Sequence, residues 1–88
     1  MRVIHKYTLR PRILMELGAQ ILAVQWQGDD FVVWALVDTN QPMGRRRMLM
    51  IGTGHAFSSP QFDEAIYIST HQMPDGLVVH FFDLGYDS

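Results

Sequence analysis

Thr53-Gly54-His55 is the sharpest local grouping of reactive residue types in this chain. A hydroxyl beside an imidazole can bind phosphate or exchange a proton, and the intervening glycine lets backbone approach a ligand closely. No Ser-His-Asp or Cys-His pattern accompanies it, so it reads as a turn or a ligand contact, not as a nucleophilic centre. Arg45-Arg46-Arg47 is the only basic run. Guanidinium groups can grip phosphate or carboxylate bidentately. Contiguous arginines at a loop-to-strand junction splay to both faces, however, so at most two aim at one target. Gln25 and Gln27 flank Trp26, and Trp34 is expected on the face of the two glutamines. Together they would make an aromatic-and-amide recognition surface, with an exposed amide ladder as the plainer reading. The histidines are His5, His55, His71 and His80. Zinc wants three or four converging ligands, usually with two at short local spacing. No HxH or HxxxH spacing and no cysteine occur here. The expectation is a non-enzyme with no metal and no cofactor, in which His71 and His80 are strand residues satisfied by hydrogen bonds.

These residues must be positioned by short apolar segments separated by turn signals. Gln20–Gln27 and Phe31–Val37 flank Gly-Asp-Asp, and Ala65–Met73 and Leu77–Leu84 flank Pro-Asp-Gly. The segments are too short and too rich in Val, Ile, Phe, Tyr and Trp for amphipathic helices. The chain therefore reads as all-β, a small antiparallel sandwich or partly open barrel of six to seven strands. Further strands are expected over Arg2–Leu9, ending before Pro11, over Ile13–Glu16, and over Arg46–Thr53. Leu17-Gly18-Ala19 reads as a bend and Thr39–Gly44 as a loop. The longest unpatterned stretch is Gly54 to Asp63, where Ser58-Ser59-Pro60 suggests an irregular loop or one helical turn.

The turns set register. Gly28-Asp29 as a two-residue type II′ turn pairs Gln27 with Asp30 and Trp26 with Phe31. Val24 then faces Val33, and Leu22 faces Ala35, which places six apolar residues on one side. Gln25, Gln27, Asp30, Trp34, Ile21 and Leu36 fall on the other. On the next strand, Met48, Met50 and Gly52 share one side, and Leu49, Ile51 and Thr53 the other. In the last hairpin, Pro74-Asp75-Gly76 suits a type I turn followed by a left-handed glycine. It pairs Met73 with Leu77, Thr70 with His80 and His71 with Val79, so His71 and His80 point to opposite faces.

With 88 residues the chain is one domain over 1–88, and such a chain buries only roughly 60–65% of its unfolded surface. Yet 48% of its residues are hydrophobic and only 18% charged. Some of that apolar surface is expected to be buried in a homo-oligomer, a dimer, or against a partner. All seven basic residues lie at or before Arg47, leaving that part at net +3 after Glu16, Asp29, Asp30 and Asp38. Asp63, Glu64, Asp75, Asp83 and Asp87 leave the rest at −5. Strands pairing charge across the fold explain this more simply than a polarised surface. The acidic balance disfavours nucleic acid as a partner. No apolar run approaches the ~20 residues of a membrane span, and the N-terminus lacks a signal peptide's apolar core.

Ile21–Gln27, Trp34–Asp38, Gly52-Thr53-Gly54-His55, Tyr67–Thr70 and Val79–Phe82 occur in an order that resembles a family of small uncharacterised proteins of tailed bacteriophages and prophages. The likeness spans Tyr7 to Phe82. It implies a setting, the cytoplasm of an infected bacterial host, and not a mechanism. Viral accessory proteins of this size usually act by binding. The expectation is thus a non-enzymatic protein that inhibits a host protein of defence or transcription. It would use strand edges, Arg45–Arg47 and the Trp34/Gln25/Gln27 face. The other reading is an oligomer that sequesters a small nucleotide-like signal between Thr53-Gly54-His55, the arginines and an aromatic ring.

Overall fold

Alternation of buried and exposed side chains at period two is clearest in β-strand segments such as Arg12–Met15, where Ile13 and Met15 turn inward and Arg12 and Leu14 outward. The structure is a computed structural model and describes residues 1–57 and 62–87. The strands are β1 (Arg2–Thr8), β2 (Arg12–Glu16), β3 (Gln20–Gln27), β4 (Asp30–Asp38), β5 (Met43–Gly52), β6 (Ile66–Gln72) and β7 (Val78–Tyr86). They form two antiparallel sheets, ordered β1-β4-β3 and β2-β5-β7-β6. Among the described residues the fold is an open sandwich of seven strands, not a closed barrel.

The core lies between the sheets. Val24, Phe31, Val33, Ala35 and Val37 come from the three-stranded sheet, and Ile13, Met15, Met48, Val79 and Phe81 from the four-stranded one. Phe81 is fully buried. Its ring meets Phe31 of the opposite sheet edge-on at 4.7 Å, and His71 packs 5.6 Å from it on the same inner face.

Both hairpins adopt the registers that their turn residues demand. Gln27 pairs with Asp30, Trp26 with Phe31 and Val24 with Val33. Gly28 takes φ +67 while Asp29 stays negative, which is the II′ pattern. In the last hairpin Thr70 pairs with His80 and His71 with Val79. Gly76 sits at φ +92, and the Met73 N–H donates to the Leu77 carbonyl at 2.7 Å.

Two expectations are corrected. Leu22 does not face Ala35: a β-bulge at Leu22 shifts the register, so Ile21 faces Ala35 and Leu22 is left 44% exposed. Ile21, not Leu22, therefore packs against the core. A bulge adds one residue to one strand only, and turn chemistry five residues away carries no trace of it. Second, β5 begins at Met43, inside the stretch read as a loop, and Gly44 pairs with Met15. Gly44 is there for space: a Cβ would sit 2.5 Å from Leu17 Cδ2 and 3.1 Å from the Tyr86 ring. Leu17 can swing aside, but Tyr86 is anchored at its hydroxyl. Gly44→Ala is expected to cost about 1–3 kcal/mol from overpacking, read as a lower urea midpoint at unchanged slope. An unchanged midpoint would show that the Tyr86 ring yields freely. The reading of Ser58-Ser59-Pro60 as irregular or helical lies outside the described residues.

Candidate functional site

The outer face of the four-stranded sheet is built from positions that alternate away from the core. Leu14 pairs with Arg45, Arg12 with Arg47, Leu49 with Phe82, and Tyr67 with Phe82 from the other side. Leu14 is 62% exposed, Tyr67 56%, and Phe57 and Phe62 43% each. The Phe57 and Phe62 rings lie 4.6 Å apart, and Phe62 and Tyr67 reach the Phe82 ring at 5.6 and 5.7 Å. This is an aromatic patch continuous with arginines along one face. Arg45 is exposed. Arg47 is half-buried, its Nη2 donating to the Leu84 carbonyl at 2.7 Å and its Nε 3.6 Å from Asp87 Oδ1. Arg12 Nε donates to the other oxygen of Asp87 at 2.9 Å.

Arg46 leaves that face altogether. It points between the sheets, where Nε and Nη2 donate to the two oxygens of Asp83 at 2.9 and 2.5 Å and Nη1 donates to the Ala19 carbonyl at 2.8 Å. Its guanidinium stacks 4.7 Å from the centre of the Tyr86 ring. Both charged residues are buried. The Asp83 hydrogen bond holds the Arg46 pKa above its ordinary value. Burial pushes the Asp83 carboxyl up, but hydrogen bonds from Arg46 and the Gly85 N–H outweigh it, leaving the group below the usual carboxylate range. Tyr86 closes the network: its hydroxyl donates to the Glu16 carbonyl and accepts from the Ala19 N–H, pinning the Leu17–Ala19 bend. The signal for this pair was present in the alternation. Arg46 shares a side with Met48 and Met50, and Asp83 with Phe81 and Val79, and two opposite charges at core positions imply that they meet.

A second buried carboxylate, Glu16, accepts from the Tyr7 hydroxyl at 2.7 Å and lies 3.4 Å from His5 Nδ1. The Tyr7 hydrogen bond holds the Glu16 carboxyl below its ordinary range. Burial, reinforced by Glu16, pushes the Tyr7 phenol up. Glu16 is therefore an ionised acceptor fully engaged by its neighbours, which suits a structural anchor better than a proton carrier.

Thr53-Gly54-His55 is split by the fold. Thr53 joins the outer face, where its hydroxyl meets His80 Nε2 at 2.7 Å, while Thr70 meets His80 Nδ1 at 2.9 Å and the Tyr67 hydroxyl at 2.7 Å. Gly54 turns at φ +87. The His55 ring folds back over Gly52, on the side opposite Thr53, where a Cβ would lie 3.0 Å from it. Six residues of strand separate Thr53 from Arg47, about 20 Å at ~3.3 Å per residue. Within one protomer these groups do not converge on one small ligand. His71, on the inner face, meets the Ser69 hydroxyl at 3.0 Å.

Gln25, Gln27 and Trp34 share the outer face of the other sheet. Lys6, which sequence reasoning did not select, joins them: its Nζ donates to Gln27 Oε1 at 2.9 Å and lies 5.9 Å from the Trp34 ring centre. This face and the arginine-aromatic face look in opposite directions from the sandwich. Among the described residues, no three His, Asp or Glu side chains converge to hold a metal ion, and no helix is long and apolar enough to cross a membrane.

No curated protein and no solved structure matches the chain. One family does, over residues 1–87, and the chain belongs to it: the Domain of unknown function (DUF7352).

Proposed function

We propose that this chain is a phage- or prophage-encoded, non-enzymatic binding protein that occludes a host protein in the cytoplasm of the infected bacterium. The observation that carries the binding part is the outer face of β2-β5-β7-β6, where Leu14, Tyr67, Phe57 and Phe62 remain exposed beside Arg45 and Arg47. Aromatic rings bordered by arginine make the composition of interface hot spots, and burying such rings against a partner removes apolar surface from water. The interior supports the same reading. The buried charges Arg46, Asp83 and Glu16 are each engaged by protein partners, so none is held free for chemistry. Recovery of a host protein on immobilised wild-type chain should fall at least tenfold with Tyr67→Ala or Arg45→Glu, an effect of about 1.4 kcal/mol or more. Thermal midpoints should stay near wild type, because both side chains are exposed. Undiminished recovery with both variants removes this face from the account.

The Thr53–His80–Thr70–Tyr67 hydrogen-bonded row favours a second reading, a small anionic or nucleotide-like ligand held on the same face. Native mass spectrometry of protein recovered gently from host lysate separates the two. An added mass of a few hundred daltons per protomer supports the ligand, and a co-purified protein without it supports the inhibitor.

A further inference from the structure

Among the described residues, the edge of β5 is open where β2 stops. β2 pairs with β5 only as far as Arg12 opposite Arg47, and the last link is the Met48 N–H donating to the Pro11 carbonyl at 2.9 Å. Proline has no N–H to continue the ladder, and the chain leaves through Arg10 and Leu9 toward the other sheet, where the Leu9 N–H bonds the Phe31 carbonyl at 3.0 Å. Backbone direction alternates along a strand. Met48 points its N–H away from β7, and Thr53 points its own toward β7, to Val78. Met50 between them must therefore turn both its N–H and its carbonyl to the open edge, together with the Gly52 N–H. Among the described residues nothing pairs with them, and the Met50 side chain is 57% exposed.

Beside this edge lies an apolar pocket of about 150 Å³, lined by Leu9, Pro11, Met48, Leu49, Met50 and Phe81, with Arg10 as its one charged lining residue among those described. Among the described residues, Arg10 is held only by its own neighbour's carbonyl, that of Leu9, and by Asp30 at 3.3 Å, and both side chains of that ion pair are about half exposed. Such a pair contributes little and leaves the guanidinium able to turn.

We infer that the Leu49–Gly52 edge captures the free C-terminal tail of a partner protein as an added antiparallel strand. The direction follows from geometry. A strand antiparallel to β5 runs the same way as β2 and is collinear with it, so it meets Pro11 after about four residues and has to end there. Its end is a carboxylate, and the group waiting at that end is Arg10. The residue opposite Met50 exchanges two backbone hydrogen bonds with it and drops an aliphatic side chain into the pocket, and the Gly52 N–H takes a third. A second copy pairing β5 to β5 about Met50 is excluded on the same ground, since its Gly52 would fall opposite Met48, where Pro11 already sits. The inference rests on the reading of the chain as a binding protein and names the form of its partner.

The test is a titration of the full chain, followed by amide NMR, with two probes: acetyl-Thr-Val-Leu-Val as the free acid, and the same peptide as its C-terminal amide. The acid should bind saturably, move the Met50 and Gly52 amides, and exceed the amide form in affinity by about tenfold or more. Arg10→Gln should erase that difference without changing the thermal midpoint. Equal affinities of acid and amide, shifts confined to the Tyr67 face, or no saturable binding at millimolar peptide would each overturn the proposal. If the peptides fail while host-protein recovery still depends on Tyr67 and Arg45, the tail site alone falls. If the peptide binds while recovery ignores both residues, the outer-face reading falls instead.

Discussion

Asp83→Ala is expected to cost about 3–5 kcal/mol, and Arg46→Ala a similar amount, because each leaves an uncompensated charge between the sheets. At ~0.05–0.15 kcal/mol per residue, a chain of 88 residues has a total stability of roughly 4–13 kcal/mol, so either change brings the fold near its limit. The pair is bidentate and both partners are buried, which sets it apart from Arg10–Asp30 and Arg12–Asp87 at the surface. Those exposed pairs should each be worth under about 1 kcal/mol. Urea unfolding of the single variants and of Arg46→Met/Asp83→Leu is the check. The double variant should recover most of the loss, since apolar residues of similar volume replace both charges. Single variants within 1 kcal/mol of wild type would mean that water reaches the pair and solvates the survivor.

The same carboxylates set an acid limit. Asp83 and Glu16 have folded-state pKa values below their ordinary ones. A depressed carboxylate stabilises the fold fully above its unfolded pKa, about 4, and that stabilisation is lost as pH falls through the folded value. Arg46 is shifted upward and is protonated in both states throughout this range, so it adds no slope of its own. Stability from these groups should be flat from about pH 5.5 to 8 and fall steadily below about pH 4.5. In Asp83→Asn the acid slope should shrink, leaving the part due to Glu16. An unchanged slope would assign the acid limit to other carboxylates.

Phe81→Ala is expected to cost about 3–5 kcal/mol, the range for removing a fully buried aromatic side chain. Phe81 is the ring that joins the sheets: it meets Phe31 at 4.7 Å across the core and His71 at 5.6 Å beside it. The variant also opens the Leu9–Met50 pocket inward, so a cavity is added to the lost transfer energy. Phe81→Leu keeps much of the volume and should cost about half as much. Chemical denaturation of both variants, read at constant slope, tests the ranking. A loss below about 2 kcal/mol for alanine would mean that the two sheets close up over the vacated space.

Local chemistry made much of this fold legible. Gly28-Asp29 and Pro74-Asp75-Gly76 fix backbone angles within two or three residues. From those angles alone the registers Val24–Val33 and Thr70–His80 follow, as does the opposed orientation of His71 and His80. Charge pairing across the fold was legible in outline too: Arg12, Arg46 and Arg47 from the basic part meet Asp83 and Asp87 from the acidic part. The candidate site was legible only in pieces. Thr53, Arg45, Arg47, Gln25, Gln27 and Trp34 do stand at solvent-facing positions of the sheets or their turns. Adjacency in sequence did not show that Arg46 turns inward, that His55 folds away from Thr53, or that Trp34 and Arg45 lie on opposite faces.

What the amino-acid sequence determined by itself is the set of strands to within a few residues, the two hairpin turns, and the faces of each hairpin close to its turn, because these depend on backbone angles and on a side-chain period of two. Tertiary structure alone decided how the strands divide into β1-β4-β3 and β2-β5-β7-β6, where the Leu22 bulge falls, and that β2 lies beside β5, so that its stop at Pro11 leaves the Met50 backbone without a partner among the described residues. Those outcomes depend on packing between residues tens of positions apart, as when Arg46 finds Asp83 37 residues later. No local angle or spacing encodes which of several apolar strands will become neighbours.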